Sequence, residues 1–136
     1  YGVFAHRHTA EIEQELAKSV TFVPHLVPMD RGILETIYIH LGKHDLSGHD
    51  INTSTIEKIF EGAYGDAPFI RVRASVLPDV KAVAYTNFCD IGWKLEEDST
   101  RMILVSCLDN LLKGAAGQAV QSFNVASHFN ERDGLL

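Results

Sequence analysis

Cysteine is scarce: only Cys89 and Cys107 occur in the 136 residues. Two thiols in apolar surroundings exclude a disulfide framework and fit a reducing, cytoplasmic setting. Basic residues are also few, 12 against 18 acidic ones, for a net charge of -6. No lysine- or arginine-rich run exists, which argues against nucleic acid or an anionic membrane as a partner. No apolar stretch approaches the roughly 18 residues of a spanning helix. Signal-peptide patterning, internal repeats and low-complexity tracts are missing. So are a G-x-G-x-x-G fingerprint and a P-loop. What is present suits one globular domain over 1–136: hydrophobic residues make up 46% of the chain, enough for a sizeable core.

The pattern along the chain is α, strands, α, strands, α. Thr9 is placed to cap a helix over 10–18, with Ile12 and Leu16 on its buried stripe and Glu11 and Glu13 near its positive end. Segment 20–28 alternates like an edge strand broken by two prolines. Segment 32–41 reads as a stronger strand, with Ile33, Ile37, Ile39 and Leu41 on one face and Glu35 interrupting. A polar loop over 42–54 ends in a Ser54–Glu57 capping box, which predicts an amphipathic helix over 55–64. Strands are predicted over 69–75, 82–88, 91–97 and 102–108, with a turn at Asp98-Ser99-Thr100. A helix rich in small residues follows Asp109. Strands that are not separated one by one by helices predict an α+β fold with a mixed, mostly antiparallel sheet.

Several stretches carry possible chemistry. His6 and His8 flank Arg7 and would share one side of an extended segment. Such a pair suits acid/base work near neutral pH, a metal site, or ordinary structural hydrogen bonding. His40, His44 and His49 with Asp45 and Asp50 form no recognisable metal motif and read as solvated loop residues; no metal is expected. In 109–121, Gly114 and Gly117 each cost a helix about 1 kcal/mol against alanine. Close packing or a ligand at the helix start would compensate. Arg31, between a broken strand and a strong one, is either an anion ligand or a turn residue paired to a local carboxylate such as Asp30. Cys89 reads as a buried structural thiol, since Asp90 beside it disfavours the thiolate.

Together, "HRHTAEIEQEL", "FVPHLVPMDRGILETI", "NFCDIG" and "DNLLKGAAGQAVQSFN" resemble, in order, the signature blocks of the N-acetyl-gamma-glutamyl-phosphate reductase family, relatives of aspartate-semialdehyde dehydrogenase. The resemblance implies an NADP-dependent oxidoreductase of arginine biosynthesis. Its small-molecule substrate, N-acetyl-glutamyl 5-phosphate, is reduced to the semialdehyde with release of phosphate, through a cysteine thioester. It also implies a fold like the C-terminal domain of glyceraldehyde-3-phosphate dehydrogenase, with helices packed on one sheet face and the other face building a homo-oligomer. By the same resemblance His8 is the acid/base. His6, Arg7, Glu11 and Arg31 are substrate-pocket candidates. Asn110, Lys113 and Gly114 are candidates for the nicotinamide side of the cofactor site. The family's dinucleotide-binding domain and its P-G-C nucleophile block are not in this sequence. The chain is therefore expected to be a C-terminal portion, inactive by itself. The alternatives are a non-catalytic assembly or regulatory module and a metal hydrolase using His6 and His8.

Overall fold

The computed structural model describes residues 1–42, 51–74 and 76–135. Its contacts fall into two compact units, Tyr1–Asp30 and Arg31–Leu136.

The first unit contains one helix, α1, Arg7–Leu16. It begins earlier than Thr9 would have it. His6 is the N-cap, and its side chain accepts from the His8 backbone N–H. Thr9 lies inside the first turn, and its buried Oγ1 has no hydrogen-bond partner among the described residues. The same shift removes Glu11 and Glu13 from the first turn, which carries no acid. Segment 20–28 forms no strand. Pro24 and Pro28 lack the N–H that a ladder requires, and Val20 N–H donates instead to Glu13 Oε1 at 3.0 Å.

The second unit is built on a four-stranded sheet. Its strands are β1 (Ile33–His40), β2 (Ile70–Val72), β3 (Cys89–Leu95) and β4 (Arg101–Leu108). Their order is β1-β4-β3-β2. β4 pairs antiparallel with both β1 and β3, and only β2–β3 is parallel. The sheet is thus mixed and mostly antiparallel, as the sequence predicts. Ile33 opposes Leu108 and Cys89 opposes Leu108 on the other side. Odd residues of β1 and β3 therefore share a face with the even residues of β4.

That face carries the helices. Helix α2, Thr53–Tyr64, seats Ile56 against Trp93 and Met102, and Phe60 stacks on Trp93 at 4.7 Å. Its cap is Asn52, whose side chain accepts from Thr55 N–H, two residues before the expected cap Ser54. The second helical stretch packs closely at Gly114, where an added Cβ would lie 3.2 Å from Leu108 Cδ1.

Across the sheet, Val83 packs on Val105 and Cys107. Val83 lies in the 82–88 segment, which is not a strand. Asp79 caps a 3-10 turn at Val80–Ala82 by accepting from Lys81 N–H, and Tyr85 takes a left-handed φ of 63°. Both features break the extended run that the alternating sequence suggests. Elsewhere on this face Leu34, Tyr38 and Ile103 stay exposed. The turn at 98–100 forms as predicted, with Thr100 N–H donating to Asp98 Oδ1. The expected loop residues His44, Asp45, His49 and Asp50 lie outside the described residues, as does Ser75 at the end of the 69–75 prediction.

Candidate functional site

The sequence candidates divide between the two units. In the first, α1 sets His6, Arg7, His8 and Glu11 on its opening turns. His6 Nδ1 accepts from His8 N–H at 3.3 Å. Nδ1 therefore carries the lone pair, and the neutral ring bears its proton on Nε2. The His6 ring is wedged edge-on against Tyr1, His8 and Phe22, with centroids 4.8–5.4 Å away. The His8 side chain is exposed and makes no hydrogen bond among the described residues. One imidazole is thus committed to the helix cap while its neighbour is exposed. Arg7 and Glu11, both exposed, sit four apart on the same helix face.

In the second unit the centre is Asp109. It is fully buried, yet its carboxylate accepts four hydrogen bonds. Tyr85 N–H donates at 2.7 Å, Leu111 and Leu112 N–H at 2.8 Å each, and Arg31 Nε at 3.0 Å. Burial pushes this carboxyl up, but the three backbone donors and the guanidinium outweigh it and hold it down at about 2. Arg31 also lies over the Tyr85 ring, 4.7 Å from its centroid. Of the two readings left open for Arg31, pairing to a carboxylate is present, but the partner is Asp109 and not Asp30. Beside it, Asn110 Oδ1 accepts from Gly32 N–H at 2.9 Å. Gly32 has φ 114°, and a Cβ there would fall 2.1 Å from Val80 Cγ1. Only glycine fits.

Asp109 caps an unusual helix start. Residues Leu112–Ala116 form a π turn, with Gly114 N–H donating to Asp109 O and Ala116 N–H to Leu111 O. It runs directly into α3, Gly117–Ala126. π turns often mark functional positions, and this one carries Lys113 and Gly114. Gly117 is explained by packing: a Cβ would sit 2.2 Å from Asn87 Oδ1.

Lys113 is half-buried, and its Nζ donates to Gln121 Oε1 at 2.7 Å. Gln121 also takes Asn87 Nδ2 at 3.0 Å and gives Nε2 to Glu131 Oε1 at 2.6 Å. Burial lowers the Lys113 pKa, opposed by electrostatic interaction with the nearby Cys89 and Glu131 side chains. Both cysteines are free and buried. Burial, then Asp90 and Asp79, push Cys107 up to about 11. Cys89 Sγ contacts Ser106 Oγ at 3.4 Å. Neither is placed as an exposed nucleophile.

The structure therefore brings Arg31, Asn110, Lys113 and Gly114 to one end of the sheet, where β1 starts and β4 ends. Asp109, Asn87 and Gln121 are the site residues that sequence reasoning passed over. Asp109 had a usable signal, an acidic cap before an apolar helical run. Asn87 and Gln121 had none, because their pairing spans 34 residues. Among the described residues no group of three or more His, Cys, Asp or Glu is placed to hold a metal ion. No helix among them is long and apolar enough to cross a membrane.

Residues 1–110 match the model of the semialdehyde dehydrogenase dimerisation domain. The chain belongs to this family. It is similar throughout its length to proteins named N-acetyl-gamma-glutamyl-phosphate reductase. That of Caldicellulosiruptor saccharolyticus is 42% identical over 100% of this chain and 40% of the relative. Those of Methanocaldococcus jannaschii and Brevibacillus brevis are 42% and 46% identical, over 100% and 99% of this chain and 39% of each relative. The chain thus spans about 40% of the length of these relatives. Among solved structures, aspartate semialdehyde dehydrogenase II from Vibrio cholerae superposes with a TM-score of 0.53 at 20% identity, over 76% of this chain and 30% of that one. Its complex with ASA gives 0.52 over the same shares. At that identity the likeness is one of fold, and the shared fold is the α+β sheet domain described above.

Proposed function

We propose that this chain is the dimerisation portion of an NADP-dependent N-acetyl-gamma-glutamyl-phosphate reductase. The observation that carries the reading is the end-to-end similarity to proteins of that name. The reaction class is reduction of an acyl phosphate to a semialdehyde with release of phosphate, and the compartment is the cytoplasm.

Within that reaction His8 is the acid/base. Support comes from the division of labour at the helix start: His6 Nδ1 is used as a cap, while the His8 imidazole has no competing hydrogen bond among the described residues. Proton transfer to an oxyanion needs a group that titrates near neutral pH and is free to reach it. His6 orients α1, Arg7 and Arg31 supply positive charge for the substrate's carboxylate and phosphate oxygens, and Glu11 is an acceptor for the substrate's amide N–H.

The donors near the π turn suit a nicotinamide cofactor. Asn110 uses its Oδ1 on Gly32 and keeps its amide N–H pair. Lys113 uses one of three ammonium N–H groups on Gln121. Such donors match the carbonyl and anionic oxygens of that cofactor, and the backbone at Gly114 has no side chain to obstruct approach. The nicotinamide, when bound, supplies the hydride. Homo-oligomerisation uses the sheet face on which Leu34, Tyr38 and Ile103 are exposed, since an apolar patch of this kind on a sheet is a protein interface.

The test is an assay of the polypeptide that carries the whole reductase, following NADP- and phosphate-dependent oxidation of N-acetyl-glutamate semialdehyde. His8→Ala is expected to lower kcat about 10²-fold or more, with His6→Ala milder and accompanied by loss of α1 stability. Wild-type turnover in His8→Ala would remove it from the acid/base role. No turnover of this substrate by the wild type would sink the reaction itself.

A further inference from the structure

The polar groups enclosed around α3 form one connected set, and Gln121 is its junction. Gln121 is 9% exposed. Its Oε1 accepts from both Lys113 Nζ and Asn87 Nδ2, and its Nε2 donates to Glu131 Oε1. Only one orientation of the amide satisfies this arrangement. A flipped amide would turn its NH₂ toward two donors and its oxygen toward a carboxylate. The partners are themselves fixed. Asn87 is 3% exposed and is closed in by the bare Cα of Gly117. Glu131 is anchored through its backbone, whose carbonyl accepts from Asn124 Nδ2 at 3.3 Å, and the same Nδ2 reaches Asp133 O at 2.9 Å.

The result falls on Lys113. It stands on the π turn with its ammonium 5.8 Å from the Phe69 ring centroid. A lysine stem is long and flexible, and its rotamers are normally lost only when a ligand arrives. Here the buried amide takes that step in advance. Gln121 supplies the one hydrogen bond that Lys113 makes among the described residues.

We propose that Gln121 is a positioning residue: it pins the Lys113 ammonium in place and so presents the two remaining N–H donors, preorganised, to an anionic oxygen of the bound ligand. Fixing the cation beforehand removes an ordering cost from binding. The inference rests on Lys113 being a ligand contact, as the proposed function has it. The alternative is that Gln121 is packing alone, holding the 127–135 segment to α3.

NMR separates the two. The full chain is labelled with ¹³Cε-lysine, and the Lys113 resonance is assigned by its loss in Lys113→Arg. Its titration is then followed in the wild type, Gln121→Leu and Gln121→Glu. Positioning predicts that Gln121→Leu moves the Lys113 midpoint down by about half a unit or more, because the charged form loses its acceptor. Gln121→Glu should move it up, because a carboxylate replaces the amide. An unchanged midpoint in folded variants of both kinds would overturn the proposal and leave Gln121 as packing. Should Gln121→Leu fail to fold, the near-isosteric Gln121→Glu decides alone. A second measurement isolates the underlying reading. In the polypeptide that carries the whole reductase, Lys113→Met is expected to raise KM for NADPH about tenfold with kcat little changed. Unchanged KM there, with the titration shifts intact, would refute the cofactor contact and not the pinning.

Discussion

Arg31 Nε and Asp109 Oδ2 are 3.0 Å apart although 78 residues separate them. The pair ties a residue two positions before the first strand to the residue that directly follows the last one. Asp109 is fully enclosed, whereas the Arg31 side chain keeps 21% of its surface. Removing the carboxylate leaves the guanidinium and three backbone N–H groups without their acceptor. Asp109→Ala is expected to destabilise the second unit by about 3 kcal/mol, measured by urea denaturation. Arg31→Met, which keeps the stem, should cost less, because the backbone donors still satisfy Asp109.

The same carboxyl sets an acid limit. Its pKa falls from the ordinary aspartate range to about 2 in the folded chain. The unfolded chain thus binds this proton at higher pH than the folded one. The stabilisation is complete above about pH 4 and is lost as pH falls through about 2. A pH series of denaturation midpoints should show this loss in the wild type and a flatter acid limb in Asp109→Asn. Equal slopes in the two proteins would contradict the account.

Trp93 is 1% exposed and lies nearly parallel to Phe60, with an interplanar angle of 14°. It is the only tryptophan, so its fluorescence reports this contact alone. Phe60→Ala is expected to cost about 3 kcal/mol and to shift the emission to the red as water reaches the indole. An unshifted emission maximum would mean that α2 recloses over the gap.

Gly117→Ala offers a test of sign. Helix propensity favours alanine by about 1 kcal/mol, but the new Cβ would lie 2.2 Å from Asn87 Oδ1. Overpacking of this kind typically costs about 1–3 kcal/mol, so the variant should be less stable than the wild type. Asn87→Ala in the same chain should recover part of the loss. A double-mutant cycle with no coupling would show that the contact is not what fixes this glycine.

Thiol reactivity gives a further check. Cys107 is wholly buried, and its pKa is raised to about 11. At pH 8 it should resist a thiol reagent in the folded chain and react promptly in guanidinium. Rapid native labelling of Cys107 would show that the 76–88 segment opens readily over the sheet.

The sheet was readable because residues such as Ile33, Ile37 and Ile39 recur on one face and because the strands are not separated one by one by helices. The 82–88 segment misled for the same reason. Val83 and Tyr85 alternate as in a strand, but Asp79 behind Pro78 starts a turn, and that turn chemistry outranks the pattern. At α1 the sequence offered Thr9 as an ordinary cap, while the structure uses the imidazole of His6, a residue rarely chosen for that purpose. Candidate positions His8, Arg31, Asn110 and Lys113 were found through local blocks of sequence. Asp109 carried a local signal as a helix cap that went unused, whereas Gln121 and its partner Asn87 carried none, because a hydrogen bond across tens of residues leaves no local period.

The π turn at Leu112–Ala116 has a consequence for chain length. Each residue advances an α-helix by about 100°, and the wider turn accommodates one residue more than a regular helix would. Deleting a single position between Asp109 and Gly117 would let this stretch relax into an ordinary α-helix, with every hydrogen bond remade. The fold would tolerate the change. Because the widened turn takes up the extra residue, Asp109 and Gln121 would keep their phase on either side of it. The loss would fall on the turn itself, where Lys113 and Gly114 stand, so a chain one residue shorter here should keep the cap and the helix and present a different surface between them.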